Sequence, residues 1–258
     1  LYIDVQANWL FALSGRAHMD VFNLRKRTLN GRYELLQDAT SEVTASSQLL
    51  GGISLMIGDS RGGISQWFMA RDPDDEQRLK HIRDFQLGDA AITRIVPEER
   101  RKGFAALNAQ GELGVFHSTA QRTLLIEPVA NAGADIIALS PRANRVLIED
   151  GNALLPFQLD NEHPEISWSS LWSKVWYESY DEPKYIWQST AATVDFEPKM
   201  SLAPLTFGTL KAAFYAMLLA APLAIAAAIY TAYFMAPGMR RKVKPVIELM
   251  EALPTVIL

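Results

Sequence analysis

From Ala212 to Ala236 the chain runs 25 residues without a charged side chain, and the first charges beyond them are Arg240, Arg241, Lys242 and Lys244. As a helix, at about 1.5 Å per residue, this run reaches about 37 Å, enough to cross a hydrocarbon layer of about 30 Å with some tilt. The competing reading, a buried core helix, fits poorly, because globular helices rarely go so far without a charge. Basic residues stay on the cytoplasmic side, and here they cluster only at the C-terminal end of the run. The expected topology therefore places residues 1–206 outside, or in the periplasm, and residues 238–250 in the cytoplasm.

Alanine occupies positions 212, 216, 220, 224, 228, 232 and 236. Small residues four apart let membrane helices approach closely, and a stripe that drifts about 40° per step serves more than one neighbour. This pattern predicts a helix packed in a multi-span bundle; an alanine-rich single anchor is the alternative. Pro222 lies inside the run, where neighbouring helices or water can satisfy the carbonyl it strands.

The ordered words Phe207-Gly-Thr-Leu-Lys-Ala-Ala, Ala221-Pro-Leu-Ala-Ile-Ala, Ala228-Ile-Tyr-Thr-Ala-Tyr and Ile247-Glu-Leu-Met-Glu-Ala-Leu-Pro-Thr-Val-Ile-Leu258 resemble the permease subunits of bacterial phosphate ABC importers. Within them they resemble the long form, which carries a large periplasmic domain between its first two spans. The resemblance covers about the last 90 residues. It implies a membrane-spanning subunit that works with a second permease subunit, separate ATPase subunits and a periplasmic phosphate-binding protein, with ATP hydrolysis elsewhere. Glu248, Glu251 and Pro254 then become possible cytoplasmic contacts; a solvated helix face is the plainer reading of the two glutamates. Leu1 is not an initiator methionine and Thr255-Val-Ile-Leu258 opens a new apolar run, so an internal fragment is expected.

The formal net charge of −4 is unevenly distributed. Residues 207–258 carry five basic and two acidic side chains, leaving −7 on the remainder. A net-negative exterior argues against a nucleic-acid partner. It also makes the surface as a whole a poor trap for phosphate. No cysteine is present, which removes disulfides and thiol ligands from consideration.

The exterior part reads as repeats of apolar strand, glycine turn and apolar strand. They run from Asn8 to Phe22, Ile53 to Met69, Phe104 to His117 and Arg145 to Phe157. The turn glycines Gly15, Gly62, Gly111 and Gly151 are spaced by 47, 49 and 40 residues. Such a period fits β-propeller blades. Residues 92–96 are expected to open the third blade and 123–126 to close it, with the acidic stretch Asp72–Glu76 between the last two strands of the second. The expected fold is mainly β: a partial, WD40-like propeller of about four blades over residues 1–165, an aromatic linker over 166–206, and an α-helical transmembrane segment over 207–258. A β-sandwich is the alternative.

In the linker, Trp168, Trp172 and Trp176 recur every fourth residue, on one face of a helix that Ser167 is suited to cap. Tryptophan concentrates at the headgroup level, so these three are read as membrane-interface residues. A tryptophan stripe packed under the propeller explains them equally well. Asp195 to Pro204 reads as an extended elbow, with Thr206 as the cap of the membrane helix.

Catalytic patterns fail when tested. His18, His81, His117 and His163 have no ligand-like spacing, no nucleophile elbow or phosphate-cradling loop is present, and no cofactor or metal is expected. Pro73 followed by acids suits the first turn of a helix, and Glu98-Glu-Arg-Arg-Lys102 reads as a solvated turn. The leading expectation is a phosphate-importer permease subunit of the bacterial inner membrane carrying a periplasmic accessory domain. The alternative is a single-anchor membrane protein whose exterior propeller binds a ligand or protein partner; a tethered hydrolase is a weaker third.

Overall fold

In four stretches of the chain, short strands alternate with turns tight enough to hairpin back at once, so each stretch folds as an antiparallel meander. The structure, a computed structural model, describes residues 1–36, 38–134, 136–191 and 196–252. The first sheet comprises β1 (Tyr2–Ile3), β2 (Trp9–Ser14), β3 (His18–Asn23) and β4 (Thr28–Glu34). The second comprises β5 (Val43–Gln48), β6 (Leu55–Asp59), β7 (Gly63–Arg71) and β8 (Gln77–Gln86). The third comprises β9 (Ile92–Pro97), β10 (Gly103–Asn108), β11 (Glu112–His117) and β12 (Arg122–Pro128). Among the described residues the fourth has three strands, β13 (Ile136–Leu139), β14 (Arg145–Asp150) and β15 (Ala153–Gln158).

The sheets stack in chain order, and side-chain alternation decides which seam each residue fills. Phe11, Met19 and Val21 of the first sheet meet Leu55, Ile57 and Trp67 of the second. Met56, between Leu55 and Ile57, points the other way and joins Ile64 and Phe85 against Phe104 and Phe116 of the third. Ala105, Leu107 and Val115 of the third sheet meet Ile137, Val146 and Ile148 of the fourth. Strands buried on both faces read as continuous apolar runs, which is why β6 and β10 carry almost no polar residue. Burying each large side chain contributes about 1.5–3 kcal/mol. A β-sandwich would share one core between two sheets; here each sheet packs on the next, in the manner of propeller blades.

All four turn glycines have positive φ, and two of them face a second constraint. A Cβ on Gly62 would sit 2.5 Å from the Leu87 carbonyl oxygen, and one on Gly111 would sit 2.2 Å from that of Ala130. At both turns the chain leaving the blade crosses directly over the glycine, so only hydrogen fits. The acidic stretch Asp72–Glu76 is the β7–β8 hairpin turn, not a helix start. Asp72 N–H donates to the Glu76 carbonyl (2.9 Å), while its carboxylate accepts from the backbone N–H groups of Asp74 and Glu76.

Residues 1–204 form one compact unit and 205–258 another. The apolar helix α2 spans Ala203–Ile229, so Thr206, expected as its cap, lies inside the first turns; Pro204 tolerates that place because the first N–H groups lack partners anyway. Residues 203–234 are long and apolar enough to cross a membrane, and no described side chain of α2 is buried. Ala212, Ala216, Ala220, Ala224 and Ala228 keep their four-residue row along α2. The row is not continuous to Ala236, because Tyr230–Phe234 forms a π turn closed by Met235 N–H on the Tyr230 carbonyl (3.0 Å), and Met235 is extended. That wider turn holds Ala232, and Ala236 falls in the break before α3 (Pro237–Ala252).

Candidate functional site beneath the capping segment

The chain leaving the fourth blade does not run straight to α2; it crosses one end of the second and third blades. Ser167 begins this crossing as a capping box for the short helix α1 (Trp168–Trp172): its hydroxyl accepts from Ser170 N–H (3.0 Å) and the Ser170 hydroxyl accepts from Ser167 N–H (2.9 Å). The Ser167 hydroxyl also donates to the Ala120 carbonyl (2.9 Å), and Arg122 donates to that of Ile166 (3.0 Å). Beyond α1, Val175 pairs with Lys184, and β16 (Trp187–Gln188) pairs with β17 (Lys199–Met200). Ser201 N–H donates to Ile186 and Leu202 N–H to Leu171, so the segment is tied down to the residue before α2.

Beneath this cap lies a buried charged seat. Lys102 is 1% exposed, and its ammonium donates to the Leu50 carbonyl (2.5 Å) and to Glu178 Oε2 (2.5 Å). Glu178 Oε1 accepts from the Ser54 hydroxyl (2.6 Å), which accepts from Gln66 Nε2 (2.7 Å); Gln66 Oε1 in turn accepts from the Ser118 hydroxyl (2.7 Å). Arg83 donates to the carbonyls of Ser118 (2.5 Å) and Trp176. Glu197 accepts from Glu178 N–H (2.8 Å) and from the Thr119 hydroxyl. Lys199 donates to Gln188 Oε1 (3.2 Å) and sits 4.9 Å from the centre of the Phe196 ring.

Burial shapes the electrostatics. Desolvation raises the Glu197 carboxyl, as does the neighbouring Glu178, while Thr119 and Arg83 oppose. It lowers the Arg83 guanidinium and the Lys199 ammonium against the pull of Glu197 and Glu178, and pushes the Tyr177 hydroxyl up to about 12. Nearby, the His117 imidazole is held down at about 3 by burial and then by Arg101, Arg83 and Arg122; its Nδ1 accepts from Ala120 N–H (3.2 Å).

Charges removed from water are tolerated only when hydrogen bonds surround them, and the resulting network accepts one geometry. The seat therefore fixes the path of the cap. Its hydroxyl–carboxylate pairs, Ser54 with Glu178 and Thr119 with Glu197, are buried inside the network, and among the described residues no group of three His, Cys, Asp or Glu side chains is placed to hold a metal. Beside it, a cleft of about 480 Å³ is lined by Trp9, Arg25, Arg71 and Gln77 of the first two blades and by Ser179 and Asp181 of the cap. It is open, with apolar walls from Trp9, Phe11 and Met69 and charges of both signs.

The residues singled out from the sequence divide. Trp168 and Trp172 lie on α1 and face outward, Trp168 being 80% exposed. Trp176 is not on that helix, which ends at the extended Ser173. It is half-buried, packs edge-on against Phe68 with ring centres 6.1 Å apart, and donates from its indole to the Tyr180 carbonyl. Arg240, Arg241, Lys242 and Lys244 lie on α3, where Lys244 pairs with Glu248 at 3.8 Å. The Glu251 side chain and Pro254 lie outside the described residues, as does Asp195 at the start of the predicted elbow. His18 and His163 are exposed, and His81 packs against Trp67 and pairs with Asp84.

The run Glu98–Lys102 is not a solvated turn. Glu98 is buried against Arg101 and Asn161, and Lys102 anchors the seat. Sequence reading missed Lys102, Arg83, Glu178 and Glu197. The one available signal was the pair of acids embedded in aromatic surroundings, Tyr177-Glu-Ser-Tyr180 and Phe196-Glu197.

No protein-family model and no curated protein matches the chain. Among solved structures it is similar to the beta-propeller domain of Cps50 (Swd1) from Myceliophteria thermophila, with a TM-score of 0.50 and 12% identity over 62% of this chain and 50% of that one. Sqt1 from Chaetomium thermophilum scores 0.49 at 12% identity, over 62% of this chain and 42% of that one. A chain of the Mitotic Checkpoint Complex scores 0.46 at 12% identity, over 61% and 47%. The chain thus spans about half the length of the structures it matches. The first likeness shows the fold: a partial β-propeller, joined here to an apolar helix.

Proposed function

We propose that the chain is a membrane-held recognition protein, in which α2 enters the bilayer and the propeller binds a protein or ligand outside it. The observation that carries this reading is a helix apolar over residues 203–234 with no buried side chain, directly following a cap bonded into the propeller. Trp168 and Trp172, exposed on that cap, suit a headgroup layer, and the mixed-charge cleft suits a peptide segment. Among the described residues one helix is long and apolar enough to span a membrane, and a propeller joined to it suits this reading more directly than a multi-span permease.

A second reading is favoured by a specific observation, the ordered words of residues 207–258. Under it, this is the periplasmic and second-span part of a phosphate-importer permease subunit, and the propeller is its accessory domain. The alanine row and Pro222 support it, since both suit a helix with helical neighbours.

Cysteine labelling tests the first reading in a chain without native cysteine. Glu99→Cys, exposed on the propeller, should react with an impermeant maleimide from outside intact cells, and Met239→Cys only after permeabilisation. Equal reaction of both before permeabilisation, or recovery of the protein in the fraction not bound to membrane, rejects membrane anchoring. Phosphate uptake by cells producing the gene's whole product, compared with cells lacking it, separates the two readings: added uptake supports the second, and none rejects it.

A further inference from the structure

The internal blades bury both faces, and the two terminal blades bury only one. In the first sheet, Tyr2, Phe11 and Val21 are register partners and fill the seam with the second. One residue along, Ile3, Leu10, Phe22 and Leu29 are also register partners, in an unbroken row across all four strands. Alternation puts that row on the opposite face, where Ile3 and Leu29 are about half exposed. The fourth sheet repeats the arrangement: Ile137, Ile148 and Leu155 align towards the third blade, while Ala138, Leu147 and Pro156 align on the far face, beside Ile136 and Leu154. Leu154 is 63% exposed. These are seams of the same construction as the three buried ones, and no other sheet of the described residues packs on them.

We propose that both outer faces are covered by further propeller blades of the same polypeptide, which complete the ring. Three observations name that occupant. The apolar rows continue an interface already repeated three times in the chain. The fold likeness spans half the length of a propeller domain, so about half a ring is unaccounted for. Finally, the last strand of each blade leads into the first strand of the next (β4 to β5, β8 to β9, β12 to β13), and the first strands β5, β9 and β13 lie side by side, so a preceding blade would feed into β1 by the same connection. On the other side the chain turns from β15 into the cap.

The test uses the gene's whole product and the 258-residue chain side by side, each purified as a single polypeptide. Leu29→Cys and Leu154→Cys report the two faces, and Glu99→Cys reports an exposed turn. In the 258-residue chain all three should react with a maleimide at similar rates. In the whole product, Leu29→Cys and Leu154→Cys should react at least ~10-fold more slowly, as buried groups do, with Glu99→Cys unchanged. Undiminished reaction at either face overturns the proposal. So does a gene that encodes no additional strand–glycine–strand units, and so does cross-linking of Leu29→Cys to Leu154→Cys between two copies, which would assign the faces to a dimer.

Discussion

The seams between blades and the seat beneath the cap are equally dry but are built from opposite chemistry. In the seam between the second and third blades, Phe104 stacks on Phe116 at 5.2 Å and Phe85 meets both rings edge-on. Such contacts are only weakly directional, and volume matters more than orientation. In the seat, five ionisable side chains are held by hydrogen bonds of fixed direction between the cap and two blades. The seam supplies stability at low specificity; the seat supplies one orientation for the segment that leads to the helix, at the risk of a stranded charge.

The sharpest way to break that contrast is to remove one charge. Lys102→Met leaves Glu178 buried without its cation and should cost about 3–5 kcal/mol in denaturant unfolding, whereas the pair Lys102→Met with Glu178→Leu should recover most of the loss. A single-variant loss below about 1 kcal/mol would mean that water reaches the seat. In the seam, Phe116→Ala should also cost about 3–5 kcal/mol, but Phe116→Leu less than about 1.5, because volume is what the seam demands. No comparably mild substitution is expected at Lys102.

Gly111→Ala comes next, at about 1–3 kcal/mol, since its Cβ would strike the Ala130 carbonyl and its φ of +83° is unfavourable for alanine. Gly151→Ala, with open space around it, should lose less. An equal loss at both sites would make the turn conformation, not the crossing chain, the controlling factor.

His117 sharpens the comparison through pH. Its imidazole is held at about 3 in the fold against an ordinary value of 6.5, so the folded protein binds fewer protons than the unfolded chain between those values. Its contribution is intact above pH 6.5 and is lost as pH falls below it, by about 1.4 kcal/mol at pH 5.5. Glu197 acts in the opposite sense: its carboxyl is raised above 4.5, so its contribution declines as pH rises above that value. His117→Gln should therefore flatten the acid limb of a stability–pH profile, and an unchanged limb would show that this imidazole is hydrated. The smallest effect is expected at Trp168→Ala, within about 0.5 kcal/mol of wild-type stability because the side chain is exposed, but with weaker binding to lipid vesicles; unchanged vesicle binding would remove Trp168 from the membrane interface.

Much of this architecture was legible because it is local. Alternating apolar residues, glycine at each turn and a repeat of 40–49 residues located the middle strands of all four blades, and the uncharged run located α2. Ser167 was legible as a cap for the same reason: its partner is three residues away. The π turn at Tyr230–Phe234 escaped notice, since nothing in the alanine spacing announces a change of helical pitch. Of the three tryptophans only Trp176 departs from its expected place on the helix, because spacing alone does not register that the helix stops at Ser173.

By itself, then, the sequence determined which segments become strands, turns and an apolar helix, since each depends on neighbours within a few residues. Only the tertiary structure decided which charges are buried. Lys102 stands in a run of charges that reads as solvated until Glu178, 76 residues away, is folded onto it, and Ser54 reaches the same carboxylate across 124 residues. A charge is stable out of water only beside its partner, and where that partner lies is a property of the fold.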